Sequence, residues 1–134
     1  MAKISKVILC VDDDPDDQLM VQETIKAIEP MSTIVTALNG QEALDYLQRS
    51  EETNTLPCLI IMDINMPVMD GKEALTQLKK KGEYAAIPIV MFTTSSSKLD
   101  KTFCEHHNIP FLTKPLKQAD LFTLIKKILA FSNC

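Results

Sequence analysis

Five carboxylates crowd into residues 11–17, "VDDDPDD", directly after the apolar run "VILC". Like charges so close together repel, and folding gains nothing from them unless a cation is shared. Three other residues far along the chain can do chemistry with them: Asp63 after "LIIM", Thr93 after "IVMF" and Lys114 in "FLTKP". Each follows an apolar run. If those runs are strands of one sheet, about 4.8 Å apart where adjacent, Asp13 and Asp63 point into one small crevice. Two or three carboxylates converging there need a divalent cation. An all-oxygen set from short aspartates suits magnesium, which takes few protein ligands and keeps several waters. A lysine ammonium and a threonine hydroxyl beside that cation form a pocket for a dianionic phosphoryl group. An aspartate can accept such a group as an acyl phosphate, and Asp63 is the candidate because it stands between the cation and the lysine. A cis Lys114–Pro115 peptide is expected, since an X–Pro bond turns cis at modest cost and would fold the lysine back over the crevice.

Such a crevice needs a scaffold that gathers strand ends. Five apolar runs, 6–11, 32–37, 56–63, 87–94 and 109–113, alternate with five helix-length segments. Residues 59–62 and 89–92 are continuously apolar, as central parallel strands covered on both faces must be. Asp14 caps the first helix with Pro15 at its opening position, Asp16 and Asp17 favour its positive end, and Pro30 stops it. Asn39 with Glu42, and Asp70 with Glu73, have capping-box spacing. The serines of "SSSK" precede a weaker fourth helix, and Leu121, Leu124, Ile125, Ile128 and Leu129 form one stripe of a fifth, from about 117 to 131. Strict alternation predicts an α/β fold, a parallel sheet with helices on both faces and right-handed crossovers. In such a sheet, ligands sit beyond the carboxyl ends of the strands. The polar stretch 49–55 reads as a loop, and "KKK" at 79–81 as a solvated helix end.

Bulk properties remove other classes. The 134 residues make one domain, 1–134, with 46% hydrophobic and 24% charged residues and a net charge of -4. That balance favours neither a nucleic acid nor an anionic membrane. No apolar run approaches the ~20 residues of a membrane span, and the N-terminal "MAKISK" is not a signal peptide, so the cytoplasm is expected. Cys10, Cys58, Cys104 and Cys134 have no C-x-x-C spacing; Cys10 and Cys58 read as small buried thiols, without a disulfide framework or zinc site. A calcium loop over Asp12, Asp14, Asp16 and Glu23 fails because Asp17 stands where the turn glycine belongs. The isolated Gly40, Gly71 and Gly82 make no phosphate-cradling loop. A small phosphohydrolase with Asp12 as nucleophile is the better rival, although the chain leaves little room for a substrate-selecting cap.

Taken together, "VDDDP", "IIMDINMPVMDG", "VMFTT" and "FLTKP", in this order and spacing, resemble the receiver domain of two-component response regulators over essentially the full length. The resemblance implies a flavodoxin-like (βα)5 sheet of order 2-1-3-4-5 without an output domain, an order the general rule for doubly wound folds already illustrates with a receiver protein. It implies that Asp12 and Asp13 are metal-binding acids, that the backbone carbonyl of Asn65 is a further metal ligand, and that Asp63 is phosphorylated by a histidine kinase or phosphotransfer protein with Mg2+. Thr93 and Lys114 match the switch hydroxyl and the phosphate-binding lysine. Phe111 matches the switch aromatic, and Asn65 and Ser95 match positions that tune the lifetime of the phosphoryl group. The output is then a conformational change of the fourth helix, fifth strand and fifth helix, read by a downstream protein or a phosphorelay. The domain catalyses its own phosphorylation and dephosphorylation and turns over no external metabolite. "VDDDPDD" and "SEETNT" are similar to stand-alone regulators serving bacterial phytochrome-type kinases. Phe122 and Phe131, off the main apolar stripe, mark a homodimer surface. A receiver-like module kept only for protein contacts is the remaining alternative.

Overall fold

A computed structural model describes residues 6–132; the "MAKIS" segment and Cys134 lie outside that range. The chain alternates as expected: β1 (Val7–Val11), α1 (Pro15–Ile28), β2 (Thr33–Ala37), α2 (Gly40–Glu52), β3 (Leu59–Met62), α3 (Gly71–Lys79), α4 (Gly82–Ala85), β4 (Ile89–Thr93), α5 (Lys98–His106), β5 (Phe111–Thr113) and α6 (Gln118–Leu129). The sheet is parallel, in the order β2-β1-β3-β4-β5. This is the flavodoxin-like α/β arrangement that the alternation and the family resemblance led us to expect.

Period-2 alternation divides the sheet residues between two cores. Leu9 and Val11, with Ile60, Met62 and Met91, face α2, α3, α4 and α5. Ile8 and Cys10, with Leu59, Ile61, Val90 and Phe92, face Val21 and Ile25 of α1 and Leu121, Ile125, Ile128 and Leu129 of α6. Each fully buried aliphatic side chain contributes ~1.5–3 kcal/mol, so the two cores together fix the strand register. That register carries the chemistry. Val11 pairs with both Ala37 and Met62, and Thr93 pairs with Thr113. The residues that follow, Asp12, Asp63 and Lys114, therefore emerge on one edge of the sheet.

The helix starts follow their caps. Asp14 accepts from the Asp16 and Asp17 N–H groups at 2.9 and 3.3 Å, Asn39 from Glu42 N–H at 2.9 Å, Asp70 from Glu73 N–H at 2.9 Å, and Ser97 from Asp100 N–H. Glu42 completes its box on Leu38 N–H rather than on Asn39. Glu29, ahead of Pro30, leaves helical geometry at φ -129° and ψ 82°.

Two elements differ from the expected pattern. α2 runs on to Glu52, taking in half of the predicted polar loop, and Glu51 there accepts a hydrogen bond from Tyr84 at 2.5 Å. An additional short helix, α4, follows the lysine run because Tyr84 buries its ring in the first core. The expected fourth and fifth helices are therefore α5 and α6. Cys10 and Cys104 are buried free thiols, with burial raising them to about 12 and about 11. Cys58 is not: it precedes β3, is half-buried and is disulfide-bonded. Among the described residues no helix is long and apolar enough to cross a membrane.

Gly71 shows why this edge tolerates little bulk. A Cβ there would stand 2.3 Å from the Asp63 carbonyl oxygen and 2.9 Å from Ile64 Cα, whereas one on Gly82 meets nothing within 4 Å. We expect Gly71→Ala to lower unfolding stability by ~1–3 kcal/mol. Gly82→Ala should leave stability unchanged or slightly higher, and paired urea titrations measure both.

Candidate functional site

The edge beyond β1, β3 and β5 is held together by one ammonium. Lys114 Nζ donates to Asp12 Oδ2 at 2.6 Å, Asp17 Oδ2 at 2.9 Å and Asp63 Oδ2 at 2.9 Å. The side chains of Lys114, Asp12 and Asp63 are only about a tenth exposed, at 9%, 10% and 9%, while Asp17 is 35% exposed. Lys114 N–H also donates to Thr93 O at 2.8 Å, anchoring the start of the loop after β5 to β4. The described residues contain no cis peptide bond. The Lys114–Pro115 bond is trans, contrary to the expected cis geometry. The ammonium reaches the crevice without it, because the β4–β5 register already aims the strand end at Asp63.

The carboxylates are positioned from their own elements. Asp12 Oδ1 accepts Asp14 N–H at 3.0 Å, and Asp63 Oδ1 accepts Ile64 N–H at 2.7 Å. Buried Gln18, which sequence reasoning passed over, gathers the strand ends beneath them: its amide donates to the carbonyls of Cys10, Asp12 and Ala37 at 3.1, 3.0 and 2.9 Å. Its signal was spacing, since Gln18, Val21 and Ile25 share the buried face of α1. The loop after Asp63 is pinned by Gly71 N–H on Ile64 O and by Gly40 N–H on Met69 O, at 2.7 and 2.8 Å.

Electrostatics follows from burial and sharing. Burial raises Asp12 above the ordinary carboxylate value, a push that Lys114 and Asp14 N–H only partly offset. Burial alone would lower Lys114, but its hydrogen bonds to Asp12, Asp17 and Asp63 outweigh it and hold the ammonium above the ordinary lysine value. The lysine stays charged. Asp12, Asp13 and Asp63 each offer an oxygen within 4.8 Å of the others. Three hard oxygen donors around a single fixed ammonium leave net negative charge, and that donor set fits a small divalent cation.

The remaining predicted residues lie around this centre. Thr93 is fully buried at the end of β4, its hydroxyl accepting Ser95 N–H at 3.1 Å. Ser95 donates to Asp100 Oδ2 at 2.5 Å, and Asp100 also pairs with Lys72. Sequence reasoning missed this α3–α5 link. Asn65 is exposed two residues beyond Asp63, and Phe111 is half-buried in β5 against the first core. Asp17 departs from its assignment as a helix-start charge alone, since it is also a direct partner of Lys114.

The family model for the response regulator receiver domain matches residues 8–126. The chain is 34% identical over 129 residues to the response regulator Rcp1 of Synechocystis sp., covering 94% of this chain and 88% of that protein. It is similar in structure to the phosphorylated cyanobacterial phytochrome response regulator RcpA, with a TM-score of 0.87 and 29% identity over 96% of this chain and 94% of that one. The Mn(2+)-bound form of Rcp1 gives a TM-score of 0.82 and 33% identity over 94% and 93%.

Two outcomes are expected from this geometry. Asp12→Asn removes a buried charge, so it should raise the metal-free Tm by a few degrees while weakening divalent-cation binding, as differential scanning calorimetry with and without Mg2+ would register. For Asp100, burial raises the carboxyl, but the hydrogen bonds from Lys72 and Ser95 outweigh it and hold it below 3.8. A depressed acid contributes stability above its unfolded value and loses it as pH falls through the folded one. Lys72→Met should therefore destabilise at pH 7, and its gap from the wild type should narrow below about pH 4, as urea midpoints across pH 3–7 would record.

Proposed function

The chain belongs to the response regulator receiver family of two-component signalling, and on that premise we propose that Asp63 is its phosphoacceptor. The observation that carries the reading is the meeting of Lys114 Nζ with Asp63 Oδ2 at 2.9 Å beside the oxygens of Asp12 and Asp13. The donor is a phosphohistidine on a histidine kinase or phosphotransfer protein. RcpA is a phytochrome response regulator, which favours a phytochrome-type kinase in that role.

In the forward step an Asp63 carboxylate oxygen attacks phosphorus. An O–P bond forms, the N–P bond breaks, and the imidazole nitrogen leaves with the electron pair. Lys114 holds a phosphoryl oxygen and offsets its charge, and the Thr93 hydroxyl turns to donate to another. Asp12, Asp13, Asp63 and the Asn65 carbonyl would hold Mg2+, which when bound would supply charge neutralisation for the transferring group. In the reverse step water attacks phosphorus and Asp63 leaves as a free carboxylate. Asn65, and Ser95 held by Asp100, border that water's approach and tune the lifetime.

The nearly doubled negative charge at Asp63 biases a pre-existing alternative packing by a few kcal/mol. Movement of Thr93 makes room for Phe111, and the surface of α5, β5 and α6 changes for a downstream protein. Phe122 and Phe131, 46% and 41% exposed on and after α6, are where a second copy would dock on the same reading.

Beryllofluoride with Mg2+ should shift amide resonances around residues 63, 93 and 111, and Asp63→Asn should abolish the shifts. A silent wild type overturns the proposal in favour of a contact-only module. Phosphate release from small phosphoesters that Asp12→Asn abolishes but Asp63→Asn retains overturns it in favour of a hydrolase.

A further inference from the structure

Lys114 is fully committed before any phosphoryl group arrives. An ammonium has three N–H donors, and Asp12, Asp17 and Asp63 take one each. A phosphoryl oxygen on Asp63 must then win a donor from one of the three. Asp12 is nearly buried and needs the charge, since its burial is costly and its second oxygen holds only Asp14 N–H. Asp63 carries the incoming group itself. Asp17 is the most exposed of the three, so water can replace the lysine there at little cost.

Asp17 also brings a charge that the phosphoryl group must face. Its Oδ2 and that of Asp63 each lie 2.9 Å from the same nitrogen, so they are within about 6 Å of each other, close enough for unscreened repulsion. Asp17 is held there by its backbone: it lies in the first turn of α1, where its N–H is tied to the Asp14 cap. Together with Lys114 it lines a cavity of about 60 Å3 between α1 and the start of α6.

We infer that Asp17 is a positioning residue that competes with the phosphoryl group for Lys114 and so weakens phosphoryl occupancy of Asp63. The inference rests on the phosphoacceptor reading. It assigns Asp17 an effect of opposite sign on the two ligands of the site. Its charge attracts the cation and repels the anion, whereas a merely structural residue would support both.

The test is a pair of titrations on the full chain, read by amide chemical shifts: Mg2+ alone, then beryllofluoride at saturating Mg2+. Asp17→Asn should bind beryllofluoride on the order of ten-fold more tightly and Mg2+ several-fold more weakly. Asp17→Glu, which keeps the charge, should stay near the wild type in both, and thermal melts should show all three proteins folded. Beryllofluoride affinity that is unchanged or weaker in Asp17→Asn overturns the inference while the phosphoacceptor reading stands. So does an Asp17→Glu protein that behaves like Asp17→Asn. No beryllofluoride response in the wild type removes the phosphoacceptor reading, and this inference falls with it.

Discussion

One buried ammonium reconciles the rest of this site. Four aspartates from β1, α1 and β3 converge where two strand ends and a helix start meet, and unrelieved they would repel one another at low dielectric. Lys114 binds three of them, and its own charge is secured by the same contacts that secure theirs. Because the residual charge is still negative, a cation belongs there too. The order of strands in the sheet, the buried Gln18 amide and the close approach at Gly71 all serve to keep those carboxylates within reach of that nitrogen.

The same contacts leave the ammonium without a spare donor. A group whose every donor is occupied can accept a new partner only by releasing an old one, so binding and rearrangement become one event. The neighbouring Thr93 is fully buried, its hydroxyl accepts Ser95 N–H, and Ser95 belongs to the Asp100–Lys72 link between α3 and α5. Hydrogen bonds and an ion pair therefore join the end of β4 to α3 and α5.

What could be read in advance was whatever repeats or sits at a defined offset. The alternation of apolar runs predicted the sheet, and the caps at Asp14, Asn39 and Asp70, with the serines of "SSSK", predicted where helices begin, because a cap rests on a local hydrogen bond. Asp12, Asp13, Asp63 and Lys114 were legible because each follows a strand. Asp17 was half-read: its offset from Asp14 explained the helix start, but contact with a residue 97 positions away has no local signature. The short α4 lacked a side-chain cap and any periodicity long enough to detect, and only burial of Tyr84 reveals it. The cis expectation for Lys114–Pro115 borrowed a local tendency where strand register had already solved the problem.

The connectivity of the ammonium carries a last implication, for biosynthesis. Its three acidic partners are residues 12, 17 and 63, and the lysine directly follows a three-residue strand at the sheet's far edge. A nascent polypeptide emerging from the ribosome thus displays an unbalanced anionic cluster until β5 and the lysine after it are available. The apolar sheet can begin to assemble earlier, but that corner closes only when β5 docks and brings the ammonium to the carboxylates.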